Sequence, residues 1–450
     1  MIPPVSVAVM RDCDRRAVER HGVEALVSRA GVAVASQARQ MLGTLYGRRI
    51  AVVVGPGLNG ADGRVAARTL RGRGSVVDVV TVAQQPKEFS RHDLVIDAAF
   101  GLGCRRDYVA PRVAPGTRVL AVDLPSGVDA DSGRILGQPL AADVTLALGA
   151  LKFAHVDGPA TQYVGELRFA DLGIEAPLDS ALITDHDLEH YLRGHHDDHK
   201  WRHAVSVLAG STLMPGAASL VCQGALCAGA SMIRLESFGK VAKSLALPPE
   251  VVRVHEAGID PRSRSVVAGP GLGAEAASWL RDRLKDLDIA SVLDADALTP
   301  QLVTRAARAP RVLTPHVKEF ERLGGEITTQ RIAAVRSLAA HTGSVVLLKG
   351  PITVISSEDG RLRIVNAGTP ALATAGTGDV LAGMIGAAMA RGHDPLDAAA
   401  LSAHLHARAG AALLPYQGAS ALAGTVSDVL SHLVEPQVST ARSASLGALL

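Results

Sequence analysis

The chain is 450 residues long, 48% apolar but only 3% aromatic, with 46 basic residues set against 44 acidic ones. That length suggests two or three domains with cores of Ala, Val and Leu. A net charge of +2 gives no support to nucleic acid or an anionic membrane as partner, and leaves room for a local anion site.

In chain order, residues 11–38 read as helical. RRIAVVVG (48–55) reads as a buried strand opening into a glycine-rich loop, and residues 60–70 as the helix behind it. Residues 76–82, 93–99, 118–125 and 142–149 follow as further strands. Their near-continuous apolar character suits parallel strands covered on both faces. Alternation with helices predicts an α/β, doubly wound, Rossmann-like three-layer domain. A polar junction, 176–200, ends in HHDDHK. The same grammar then resumes with AVSVLAG, SVVAGPGLG, SVLDADAL, RVLTPH, SVVLLKG and an Ala-rich helix after AGTGD. Two α/β domains are expected, 1–178 and 179–450. The uncharged stretch 204–233 is broken by Ser211, Pro215 and Gly216, so strand, loop and buried helix fit it better than a membrane span. Cys13, Cys104, Cys222 and Cys227 show no CxxC or zinc spacing, and the N-terminus lacks a basic n-region. The expectation is a cytoplasmic protein with reduced thiols and no membrane or nucleic-acid partner.

The loop GPGLNGADG (55–63) precedes a helix N-terminus, whose free N–H groups suit a phosphate or carbonyl oxygen. Its glycines permit positive φ and close backbone approach, although a tight turn alone would also use them. Asp97 and Asp123 end two further strands, with Ser126 close behind the second. Ligands of parallel sheets bind beyond such strand ends, so Asn59, Asp97, Asp123 and Ser126 could converge, with oxygens suited to a hard cation. Each Asp could equally cap its own loop.

Together with DLVIDAAFGLG, LAVDLPSGVDADSG and GALKFAHVDGPATQYVGELRFADLGI, this loop resembles the NAD(P)H-hydrate epimerase family over residues 10–175. The resemblance implies potassium held by Asn59, Asp97 and Ser126. It implies hydrate contacts from Leu58, Asn59, Gly60, Ala61 and Asp62, and from Gly101, Leu102, Gly103, Cys104, Arg105, Arg106 and Asp107. Asp123 would also touch the hydrate and move its proton. The loop departs from the family pattern: Pro56, Leu58 and Ala61 replace two Asn and one Gly, and Ala61 would matter if the backbone needs positive φ there. A degenerate, structural N-terminal domain is the competing reading.

In the second half, AGTGD (375–379) sets two glycines and a Thr before a helix, with Asp379 in its first turn. The amides can receive a moving phosphoryl group and Asp379 can deprotonate a hydroxyl attacking it, although an Asp there ordinarily just complements the helix dipole. His316 follows a Pro at a strand end, as a titratable group or a structural one. Lys349 ends an apolar strand, where it needs an anion, such as a nucleotide phosphate, or an ion-pair partner.

With GSTLMPGAA, GPGLG, LDADAL, LTPHVKEFERL and LLKGPITVI, residues 195–433 are similar to the ADP/ATP-dependent NAD(P)H-hydrate dehydratases, which have a ribokinase-like α/β fold. The resemblance implies that Lys349, Gly350, Pro351, Ile352, Thr353 and Gly378 bind the adenine nucleotide. Ala218, Gly271, His316 and Asp379 would bind the hydrate, with Asp379 as base. The fused order favours ADP over ATP, with magnesium on its phosphates. The implied work is epimerisation of R and S hydrates of NADH and NADPH (NADHX and NADPHX) and dehydration of the S form, by a homo-oligomer. HKWRHA departs from the usual start of this domain. A ribokinase-like small-molecule kinase and a non-enzymatic scaffold are the rivals.

Overall fold

The structure, a computed structural model, describes residues 1–189, 191, 199–239, 246–256, 258–303, 308–327 and 330–446. Part of HHDDHK thus lies outside the described residues. Two compact units divide the chain, Ile2–Ser180 and Ala181–Leu450. No helix of the described residues is long and apolar enough to cross a membrane.

The first unit opens with two helices, α1 (Val7–His21) and α2 (Val23–Leu42), where one was expected. Gly22 separates them at φ +81, a conformation that L side chains rarely adopt, so the helix breaks there. The sheet follows: β1 (Arg49–Val54), then α3 (Leu58–Gly72), β2 (Val76–Thr81), β3 (Leu94–Ala98), β4 (Arg118–Val122), β5 (Val144–Leu148) and β6 (Glu166–Ala170). Its order is β6-β5-β4-β3-β1-β2, and every pairing is parallel. The α2 and α3 helices cover one face, on Val34, Ala35, Ala38, Ala66 and Leu70. They approach closely because Gly31 has no side chain; a Cβ there would stand 2.4 Å from Val65. The opposite face is covered by short ribbons and loops that bring in Phe89 and Tyr108. The β1 and β3 strands are neighbours while β2 lies on the other side of β1, so the chain reverses direction across the sheet at β1/β3, the place where such folds bind ligands.

The second unit holds a ten-stranded sheet: β7 (Ser180–Leu182), β8 (Ala204–Ser211), β9 (Met232–Phe238), β10 (Val251–Arg253), β11 (Ser265–Ala268), β12 (Ala290–Leu293), β13 (Arg311–Leu313), β14 (Val345–Leu348), β15 (Thr353–Ser356) and β16 (Leu362–Val365). The order is β7-β16-β15-β14-β13-β12-β11-β8-β9-β10, with β8 and β11 flanking the reversal point. Strands from β14 to β10 run parallel, and β14-β15-β16 is an antiparallel meander. The helices that matter are α4 (Pro215–Cys227), α5 (Val317–Arg322), α6 (Thr377–Ala390) and α7 (Pro395–Ala412). The α6 helix is apolar nearly all round because it is buried nearly all round. Its small residues let it touch α4 backbone to backbone: a Cβ on Gly383 would stand 2.1 Å from the carbonyl oxygen of Val221.

Candidate functional site

In the first unit, Leu58, Asn59 and Asp62 of α3, every residue of the loop 101–107, and Asp123 line one cavity of about 1280 Å³. Gly60 and Ala61 stand outside that lining. Of the two uses expected for the glycines of its loop, the site shows close backbone approach and not positive φ. None of Gly55, Gly57, Gly60 or Gly63 has positive φ. Gly55 is required by contact instead, since a Cβ would fall 1.7 Å from the carbonyl oxygen of Ala99. The helix begins at Leu58, two residues before the expected start, so Ala61 is ordinary helix and needs no glycine.

Like Leu172 of the same cavity lining, at φ +58, Asp123 sits in the left-handed region, at φ +67. The N–H of Leu124 returns to the carbonyl of Val122 at 2.8 Å, closing a γ-turn around it. A matching γ-turn closes at Gly149, where Ala150 N–H donates to Leu148 O at 2.8 Å. These turns deliver Asp123 and Lys152 to each other. The Lys152 ammonium, 1% exposed, donates to Asp123 Oδ1 at 2.5 Å and to the carbonyls of Leu148 and Ala150. His155 clamps the pair: its Nδ1 accepts from Lys152 N–H and its Nε2–H donates to Asp123 O at 2.6 Å. Burial, then the Lys152 charge, lowers the His155 pKa to about 4, which keeps the ring neutral. Three further carboxyl residues line the cavity, Asp14 from α1, Asp62 from α3 and Asp107 from the loop 101–107. Burial with Asp123 and Asp14 nearby pushes Asp62 up to about 8, and burial raises Asp14 as well.

Asp97 and Ser126 are joined directly. Ser126 donates through its hydroxyl to Asp97 Oδ1 at 2.6 Å and through its N–H to Oδ2 at 2.9 Å. Asp97 is 3% exposed and takes only neutral donors, so burial raises its pKa. Asn59 is half-buried, and its side-chain nitrogen is enclosed without a hydrogen-bond partner among the described residues.

In the second unit, α6 opens at Gly376, in the left-handed region at φ +90, and puts Asp379 in its first turn. The loop before it is locked by Thr377, whose hydroxyl donates to Leu372 O and Thr374 O. From behind, His406 of α7 donates Nε2–H to the carbonyl of Thr377 at 2.8 Å. Lys349 reaches the same place. Its ammonium pairs with Asp294 at 2.9 Å, and a Cβ on Gly378 would stand 3.4 Å from it. Of the two partners the sequence left open for Lys349, the structure supplies the carboxylate. Burial works against the Lys349 charge, but Asp294, Glu319 and Asp379 outweigh it and hold the ammonium above its usual range. Asp379 goes the other way. Burial and Asp294 raise it to about 7 against the pull of Lys349.

His316 is chiefly an N-cap: its Nδ1 accepts from Glu319 N–H while Glu319 returns a carboxylate to His316 N–H. Its ring stays half exposed. Gly271, at φ +64, packs against Ala217 and Met214 of the loop after β8. Ala218, expected on the cleft, is fully buried behind Gly210 because the register of α4 turns Ala217 outward instead. Gly350, Pro351 and Ile352 form the β14–β15 turn, and Thr353 begins β15.

Lys152, His155, Asp14 and His406 were not singled out from sequence. Lys152 carries the signal that drew attention to Lys349, a lone lysine closing an apolar run. His155 and His406 carry none, since a buried neutral histidine is usually core.

Comparison with known proteins follows the same division. Residues 205–432 match the family model described as NAD(P)H-hydrate dehydratase. Residues 23–92 and 83–154 match that of the YjeF-related protein N-terminus. The bifunctional NAD(P)H-hydrate repair enzyme of Mycobacterium leprae is 36% identical, over 95% of this chain and 98% of that protein. The same-named enzyme of Escherichia coli is 31% identical over 86% and 85%. Among solved structures, an ADP/ATP-dependent NAD(P)H-hydrate dehydratase from Bacillus subtilis, co-crystallised with ATP and Mg2+, superposes with a TM-score of 0.50. It is 28% identical over 57% of this chain and all of that one. A ribokinase-like superfamily protein from Enterococcus faecalis gives a TM-score of 0.52 at 23% identity, over 58% of this chain and 99% of that one.

Proposed function

The chain belongs to the bifunctional NAD(P)H-hydrate repair enzymes, and on that footing we propose how its two sites divide the repair. The N-terminal domain is the epimerase and the C-terminal domain the nucleotide-dependent dehydratase. The hydrate carries a hydroxyl on ring C6, and hydroxide is a poor leaving group. In the C-terminal site Asp379 takes the hydroxyl proton as the oxygen attacks the terminal phosphoryl of the nucleotide. The amides at the start of α6 and the Lys349 ammonium meet the charge that develops. The N1 lone pair then expels phosphate from C6, and loss of a C5 proton restores the dihydronicotinamide. The observation that carries this is Asp379, raised to about 7 beside an ion-paired lysine at an open helix N-terminus.

Lys349, Gly350, Pro351, Ile352, Thr353 and Gly378 are the nucleotide contacts, with ADP the preferred donor. The hydrate meets Gly271, His316 and Asp379. Magnesium is expected on the nucleotide phosphates. When bound, it neutralises phosphate charge.

In the N-terminal site the hydrate occupies the cavity above Asp123. Asp97, Ser126 and Asn59 suit potassium through their oxygens: a buried carboxylate with no cationic partner among the described residues, a hydroxyl, and an amide carbonyl. That ion would hold Asp97 ionised and steady the loop ends. The protein is expected to work in the cytoplasm as a homo-oligomer.

The test is the product. Purified protein, S hydrate and ADP or ATP should release inorganic phosphate while reduced-nicotinamide absorbance returns. A stable phosphorylated alcohol would instead make the protein a small-molecule kinase.

A further inference from the structure

We propose that Asp62 is the proton donor of the epimerase site, working opposite Asp123, with Lys152 as the group that keeps the two carboxyls in different roles. This rests on the epimerase assignment above and adds to it the second half of an acid–base pair. Both carboxyls line the same cavity, but their surroundings differ. Asp123 is engaged by Lys152 and by the N–H of Leu148. Asp62 is 7% exposed, and its carboxyl forms no hydrogen bond among the described residues. A buried carboxyl without donors keeps its proton. Facing Asp62 are Asp123 and Asp14, both acidic, while the Lys152 charge acts on Asp14 and is paired with Asp123. That environment raises Asp62 to about 8, in agreement with the geometry. One carboxyl held by an ammonium and one without donors, at one cavity, are the arrangement that divides base from acid.

The substrate needs both. Its C6 bears a hydroxyl and the ring nitrogen, so it is a carbinolamine. Asp123 takes the hydroxyl proton, and the released electron pair forms the carbonyl of an open-chain aldehyde. The C6–N1 bond breaks with its electrons going to N1, which takes the proton from Asp62. Rotation about C5–C6 turns the other carbonyl face to N1. On closure N1 attacks C6, its proton returns to Asp62, and the oxygen recovers its proton from Asp123. Nothing is gained or lost, and the cluster carries the same charge in the closed and open forms beside an unchanged ammonium.

The experiment follows R-to-S conversion by the full-length protein without nucleotide, comparing wild type with Asp62→Asn across pH. Wild-type kcat should fall as pH rises above about 8. The variant should lose about 100-fold or more in kcat, keep its KM within about threefold, and show no alkaline fall. The held KM reports an intact cavity. Asp62→Glu should recover part of the rate. A variant that keeps the wild-type kcat, or one whose only change is a raised KM, overturns the proposal. Wild type unable to interconvert the epimers at all would overturn the epimerase assignment and this inference with it.

Discussion

Replacing Asp379 with Asn tests the dehydratase site through rate and stability together. Burial and the neighbouring Asp294 move the Asp379 pKa from 3.8 to about 7. As the base, Asp379 must be ionised, so below that pH the wild-type kcat/KM should fall about tenfold per pH unit, and above it level off. The Asn variant should lose roughly 10²–10⁴ in rate and respond little to pH across this window. Stability should move the opposite way. The folded protein binds the Asp379 proton more tightly than the unfolded chain does, so this carboxyl's contribution is full below pH 3.8 and is lost as pH rises through about 7. The full difference corresponds to at most about 4 kcal/mol, less whatever solvent screens. Asn does not titrate, so the variant should be the more stable protein above about pH 7, with its relative gain shrinking toward pH 4. Recovered nicotinamide absorbance reads the rate, and urea unfolding at several pH values reads the stability. A wild-type rate that is flat with pH, or an Asn variant within tenfold of wild type, would refute the reasoning.

Three other perturbations have definite outcomes. Lys349→Met leaves Asp294, 2% exposed, without its cation, and should cost about 3–5 kcal/mol by urea unfolding along with dehydratase activity. Ala61→Gly restores the residue usual at that loop position, yet Ala61 sits in α3, so about 1 kcal/mol of stability should be lost with no gain in epimerisation. Exchanging potassium for a bulky organic cation should slow epimerisation and spare dehydration of the pure S form; equal slowing of both would remove the ion from Asp97 and Ser126.

The parallel α/β architecture was legible because strands covered on both faces must be apolar throughout, as 50–54 and 119–122 are. The Ala-rich helix after AGTGD was legible for the same reason. Boundaries set by single glycines were harder: Gly22 splits one expected helix through a φ of +81 that composition does not announce. The glycine-rich loop was located correctly, and of the two reasons expected for its glycines close backbone approach holds and positive φ does not. Contact with Ala99, a long-range fact, requires Gly55, and no positive φ is involved. Asp379 and Asp123 stood out because each ends a recognisable segment. The Lys152 side of the site did not, since two γ-turns on neighbouring strands create that meeting and neither leaves a mark in hydrophobic periodicity. Ala218 shows the reverse limit: a position carried over by motif whose side chain the helix register turns into the core.

The account centres on two linked activities in one chain, and a single time course addresses it. Purified protein is mixed with R and S hydrates and ADP, and each epimer is followed by chromatography. Both should disappear, S first and R at the pace of its conversion to S, while withholding ADP should leave an interconverting mixture. Exhaustion of S with R untouched would contradict it.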